Sequence, residues 1–176
     1  MDDLGYLLIK GLGMLSRNGS SKCKACHSKF PVQEMISVND MKEDIDFKYV
    51  NTNWVIYHLI LKDQADRDGD TNIVHLCSDC YKARLSKANR KYLDAYSSMN
   101  QVKTFPANYN GNFKLDDKVD PKIETYNFSG GKWNTLNKMK FWAAWEGFNL
   151  IYNITYDYQY DQKTVTGIFA KLKDAR

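Results

Sequence analysis

At 176 residues the chain is long enough for one ordinary domain or two small ones, and 43% hydrophobic against 26% charged residues excludes a wholly disordered polymer. A formal charge of +4 permits a nucleic-acid partner without demanding one. No run approaches the ~18 apolar residues of a membrane-spanning helix, and 14% aromatic residues, twelve of them tyrosine, favour β-rich structure.

Residues 1–20 form an apolar segment in which Leu4, Leu8, Leu12 and Leu15 share one helical face, weakened by Gly5, Gly11 and Gly13. Asp2 and Asp3 stand where a secretory signal carries its basic residues, and Lys10 interrupts the apolar run, so the expected location is cytoplasmic. A loop then leads to Cys23-Lys24-Ala25-Cys26-His27. Beyond Phe30-Pro31 and a short element over 32–40, the run from Phe47 to Lys62 is rich in β-branched and aromatic residues. It reads as two strands broken near Asn51-Thr52-Asn53, or as one long bent strand. Residues 63–70 (DQADRDGD) read as a turn, and residues 71–77 (TNIVHLC) as a strand that delivers Cys77 and Cys80.

From Ser78 to about Met99 the pattern is helical, with Leu85, Ala88, Tyr92, Tyr96 and Met99 as one apolar stripe. Lys82, Arg84, Lys87, Arg90 and Lys91 occupy the other faces. Residues 104–121 combine Pro, Gly and Asn without any period and read as a linker. Residues 122–176 follow as a β-α-β-β module. Its helix runs from a candidate cap at Asn134 to Gly147, and its strand over 148–160 alternates with Leu150, Tyr152, Ile154, Tyr156 and Tyr158 on one face.

The four cysteines, Cys23, Cys26, Cys77 and Cys80, make two CxxC pairs with none left over. A tight turn points both sulfurs of a CxxC to one side, and two such pairs complete a tetrahedron around Zn²⁺ at ~2.3 Å with no open position. The 50 residues between Cys26 and Cys77 exceed the spacing of simple zinc ribbons, which an inserted hairpin would explain. Two other chemistries fit part of the pattern. Cys23 to His27 is also a c-type haem attachment sequence, with Met35, Met41, His58 or His75 as the second axial ligand. Either CxxC alone is also a dithiol redox motif.

The CKAC knuckle before an aromatic-Pro pair, with HLCSDCYKARLSK running from a strand into a helix, resembles treble-clef or zinc-ribbon-type domains of small bacterial and phage proteins. The resemblance covers roughly residues 20–100. It implies that the last two ligands, Cys77 and Cys80, lie at a strand end and a helix N-terminus, where the helix dipole favours thiolates. Residues 133–173 are more faintly similar to a small bacterial β-α-β-β module of unassigned function, which implies a fold and no activity.

Treble clefs include HNH-like nucleases, for which His58, Asp63, Asp66, Asp68 and His75 offer a composition but no Asp-His or His-His pair. A calcium loop over 64–75 fails at both its first and last ligand positions, which hold Gln64 and His75. The expected fold is α+β: a zinc domain (21–103) with an inserted β-hairpin and a basic helix, a linker (104–121) and the β-α-β-β module (122–176). The expected function is that of a non-catalytic bacterial or phage regulatory or adaptor protein. Its partner is nucleic acid, held by Lys82, Arg84, Lys87, Arg90 and Lys91 with Tyr81 or Tyr92 stacking, or a protein held by the aromatic tail. An HNH-like nuclease and a haem or dithiol protein are the alternatives.

Overall fold

A computed structural model of the chain describes residues 19–62, 74–127, 132–158 and 163–173, and the chain divides between Asn89 and Arg90 into two units. The expected N-terminal helix, the aspartate-rich turn after Lys62 and the turn at 129–131 lie outside the described residues. None of the described helices is long and apolar enough to cross a membrane. The structure is mixed α+β, as expected.

In the first unit, β1 (Ser20–Lys22) and β2 (Lys29–Pro31) form an antiparallel hairpin whose turn carries Cys23 and Cys26. After a 3-10 turn, β3 (Met35–Ser37) pairs antiparallel with β4 (Val74–Cys77), placing Met35 opposite Cys77. Helix α1 (Val38–Asp44) starts at a capping box. The Ser37 hydroxyl accepts from the Asp40 amide at 3.3 Å, and the Asp40 carboxylate accepts from the Ser37 amide at 2.8 Å.

The run from Phe47 to Lys62, expected as strand, contains no strand and is helical over residues 52–60. Asn51 caps α2 (Thr52–Val55), its amide oxygen accepting from Asn53 N at 2.9 Å, and the helix continues into a π-helical turn over Ile56–Ile60. Val55, Ile56, Ile60 and Leu61 are the buried residues, a five-residue spacing that neither the α-helical nor the strand period reveals. The Leu61 amide bonds to Ile56 O at 2.8 Å, the i to i+5 bond that brings these side chains together. The hairpin expected between the two CxxC pairs is therefore replaced by helix, and β4 finds its partner in β3 instead.

Helix α3 (Ser78–Ser98) confirms the expected helix, and the division between the units falls inside it. Ala88 and Met99 are buried as the stripe predicted and Leu85 and Tyr92 are half-buried, whereas Tyr96 is 43% exposed and Tyr81 and Ala95 are buried instead.

The second unit contains a four-stranded sheet of order β5-β7-β8-β6, formed by β5 (Lys103–Pro106), β6 (Lys122–Asn127), β7 (Leu150–Asp157) and β8 (Thr164–Ala170). β5 runs parallel to β7, and the other pairs are antiparallel. Residues 104–121, expected as a linker, belong to this unit. β5 is a sheet strand, and the Asp116 amide bonds to Lys171 O at 2.8 Å while Lys173 N bonds to Lys114 O at 2.9 Å. The turn-forming composition marks loops correctly, but nothing local in it shows that their flanks are hydrogen-bonded to distant strands.

The β-α-β-β order is as expected. Helix α4 (Lys132–Trp145) starts two residues before the proposed Asn134 cap. It ends at Gly147, with φ +86°, in a Schellman arrangement: Phe148 N bonds to Ala143 O at 2.8 Å and Gly147 N to Ala144 O at 3.1 Å. Met139, Ala143 and Phe148 pack with Ile151, Ile154, Val165, Phe169 and Val102 in one core. The approach is close at Gly167, where a Cβ would stand 2.8 Å from Ile151 Cγ2 and 3.1 Å from Met139 Cε.

The strict alternation expected along β7 is broken. Asn153 adopts φ +54° at a register shift between Tyr152 and Thr155, so Ile151 before the bulge and Ile154 after it both enter the core.

Candidate metal centre

Each pair of cysteines is presented by a different device. In the first, the β1–β2 turn folds back so that Cys23 N donates to Ser28 O and His27 N donates to Cys23 O, both at 2.9 Å, while Ala25 N points at Cys23 Sγ from 3.4 Å. His27 closes this turn in the left-handed region at φ +60° and is exposed. In the second, Cys77 is the last residue of β4 and Cys80 lies in the first turn of α3.

These elements bring all four sulfurs within 4.8 Å of one another, and Cys26 Sγ lies 4.0 Å from Cys77 Sγ. The edge of a tetrahedron with metal–sulfur bonds of ~2.3 Å is about 3.8 Å, so the four donors fit one four-coordinate ion. All four are free cysteines, with Cys23 and Cys77 buried, Cys80 half-buried and Cys26 exposed.

The electrostatics are those of thiols crowded around one point. Burial raises the Cys23 thiol, but the amides of Cys26, Cys77 and Ala25 aimed at its sulfur outweigh this and bring it down to about 6. Burial raises Cys77, and burial together with hydrogen bonds that the Cys80 thiol donates to the sulfurs of Cys77, Cys23 and Cys26 pushes Cys80 up to about 12. Such crowding sets the lowered Cys23 thiol beside the raised thiols of Cys77 and Cys80, and a cation at their centre would offset the repulsion between thiolates.

Among the described residues, the cysteine cluster is the one group of three or more His, Cys, Asp or Glu side chains arranged to hold a metal. His58 is exposed on the π-helical turn with its ring 5.1 Å from that of Trp54. Asp63, Asp66 and Asp68, which the nuclease reading needs, lie outside the described residues.

Of the basic residues on α3, Lys82, Lys87, Arg90 and Lys91 are exposed. Arg84 is half-buried, and its guanidinium donates to Ile60 O at 2.6 Å, closing the π-helical turn. Lys91 lies over the Trp145 ring at 4.4 Å. Tyr81, considered for stacking, is buried with its hydroxyl donating to Asp44 at 3.0 Å; burial and that carboxylate raise its phenol. Tyr92 packs between Tyr96 and Phe141, at 5.8 and 5.4 Å.

No protein-family model, curated protein or solved structure matches the chain.

The turn conformation predicts the effect of one substitution. A side chain in the left-handed region is strained, and glycine relieves that strain. His27→Gly is expected to keep the full metal content and to raise stability by about 1 kcal/mol. Elemental analysis and thermal melting check this, and loss of metal would make His27 a ligand.

Proposed function

We propose that the chain is a non-catalytic, zinc-stabilised binding protein with nucleic acid as its partner, and that its first unit is treble-clef-like. The observation that carries the reading is the convergence of all four cysteines. Four protein thiolates close a tetrahedron and leave no coordination position for water or substrate, which is the arrangement of a structural zinc site. The treble-clef description is supported by two ligands on a hairpin turn, one at a strand end and one in the first turn of the following helix.

The distribution of charge favours nucleic acid over a protein partner. The first unit balances twelve Lys and Arg against twelve Asp and Glu, whereas the second holds thirteen against nine, so the whole formal excess lies beyond Asn89. Lys82 and Lys87 on α3 add exposed cations ahead of that point.

The purified protein should contain one zinc per chain and be colourless; iron with visible absorption would overturn the zinc assignment. In a titration of mixed-sequence DNA and RNA strands, affinity should fall linearly with the logarithm of salt concentration. Replacing Lys82 and Lys87 by Gln should flatten that slope by about one to two. Absence of binding at low salt would return the choice to a protein partner.

A further inference from the structure

The sheet face of the second unit that is turned away from α4 carries four aromatic rings in sequence of contact. Phe105 lies 4.4 Å from Tyr109 and 5.0 Å from Phe113, Tyr109 stacks on Phe113 at 5.5 Å and 25°, and Phe113 meets Tyr152 at 5.4 Å. Strand geometry explains the clustering: Tyr152 follows the core residue Ile151 and so points to the opposite face. Gly111 lies against the Tyr109 ring so closely that a Cβ would collide with its edge and hydroxyl. Tyr109 keeps 46% of its surface exposed.

Tyr109, Phe113, Tyr152, Pro106, Gly111 and Asn153 line a hollow of 280 Å³. Asn153 reaches this position because the bulge in β7 puts it in the left-handed region, exposed at the rim. The hollow therefore offers flat aromatic walls and one carboxamide, which is the chemistry that recognises a planar heteroaromatic ring with a hydrogen-bonding edge. Lys103 and Lys114 bracket the aromatic segment in sequence, both exposed, in the unit that holds the net positive charge.

We propose that this hollow takes an unpaired base of a single-stranded nucleic acid. Tyr109 and Phe113 stack on the base, the Asn153 amide bonds to its edge, and the lysines of this unit neutralise the flanking phosphates. A duplex is disfavoured because its base faces are already stacked. The inference rests on the nucleic-acid partner proposed above and adds a base contact on the sheet face to the phosphate contacts of Lys82 and Lys87 on α3.

The test is fluorescence anisotropy with the full, metal-loaded chain and labelled twelve-nucleotide single strands of dT or dA, the matching duplex, and free mononucleotides. Single strands should bind at least ten-fold tighter than duplex or mononucleotide. Tyr109→Ala should weaken binding about ten-fold and Tyr109→Phe should restore it. Asn153→Gly, which suits the same backbone conformation, should narrow the difference between dT and dA strands. Because Tyr109 is on the surface, its melting temperature serves as the control for folding. Binding undiminished in Tyr109→Ala but lost on replacing Lys82 and Lys87 would overturn this site alone. Preference for duplex, or mononucleotides binding as tightly as strands, would also overturn it. Absence of binding to every nucleic acid would overturn both this site and the nucleic-acid reading.

Discussion

Removal of the metal by a chelator, or the substitution Cys77→Ser, is expected to unfold the first unit while the sheet of the second persists. Among its described residues the first unit has only short strands, three residues in β1, β2 and β3 and four in β4, arranged in two-stranded pairs that are marginal alone. The cysteine cluster ties both pairs together, since Cys23 and Cys26 sit on one and Cys77 ends the other. Structural zinc contributes ~10 kcal/mol or more of coupled folding free energy, which exceeds what such strands supply. Cys77 is 4% exposed and opposite Met35, so a serine there loses a ligand and leaves a buried hydroxyl facing three thiols. Amide exchange would show it: protection lost in β1 to β4, α1 and α2, and retained in β7 and β8. The cluster of Val102, Met139, Ala143, Phe148, Ile151, Ile154, Val165 and Phe169 draws all of its buried residues from the second unit, which is why it should survive. An unchanged melting temperature in Cys77→Ser, with zinc still bound, would sink the structural-metal reading.

Phe169→Ala is expected to cost about 3–5 kcal/mol, a large share of the 5–15 kcal/mol that stabilises an ordinary domain. Phe169 is fully buried in the middle of the sheet core, 6.1 Å from the Phe148 ring in an edge contact and 6.4 Å from Tyr126 in a stacked one. The same strand is already at its packing limit two residues earlier, where Gly167 admits Ile151 and Met139. The backbone therefore has little freedom to collapse into the space the ring leaves. Denaturant unfolding followed by tryptophan fluorescence measures the loss, since Trp142 packs against this core. Metal content should be unchanged, because all four clustered cysteines lie in the first unit. A loss below 1 kcal/mol would show that the site relaxes around the cavity.

The metal centre was legible in the sequence because its signal is local. CxxC places two sulfurs on one side of a turn whatever surrounds it, and two such pairs complete a coordination shell. Cys23-Lys24-Ala25-Cys26-His27 was ambiguous alone, and the convergence of Cys77 and Cys80 on the same point assigns all four thiols to one cluster. Helices α3 and α4 were legible for a similar reason, since period and the terminal Gly147 act within a few residues. The helix over 52–60 was hidden because a π-helical turn buries residues five apart, while its β-branched composition imitates a strand.

What the sequence by itself determined is the pairing of the cysteines, the two long helices, the order of the C-terminal elements and the balance of charge. Only the tertiary structure decided that Arg84 closes a backbone turn, that Tyr81 is buried on Asp44, and that residues 104–121 belong to the sheet. It alone brought Phe105, Tyr109, Phe113 and Tyr152 to one hollow with Asn153. Those contacts join residues tens of positions apart, through a parallel strand pair and a bulge that shifts the facing of a strand by one residue. Local propensity carries no record of either, because both are settled by which distant backbone groups and side chains a segment meets.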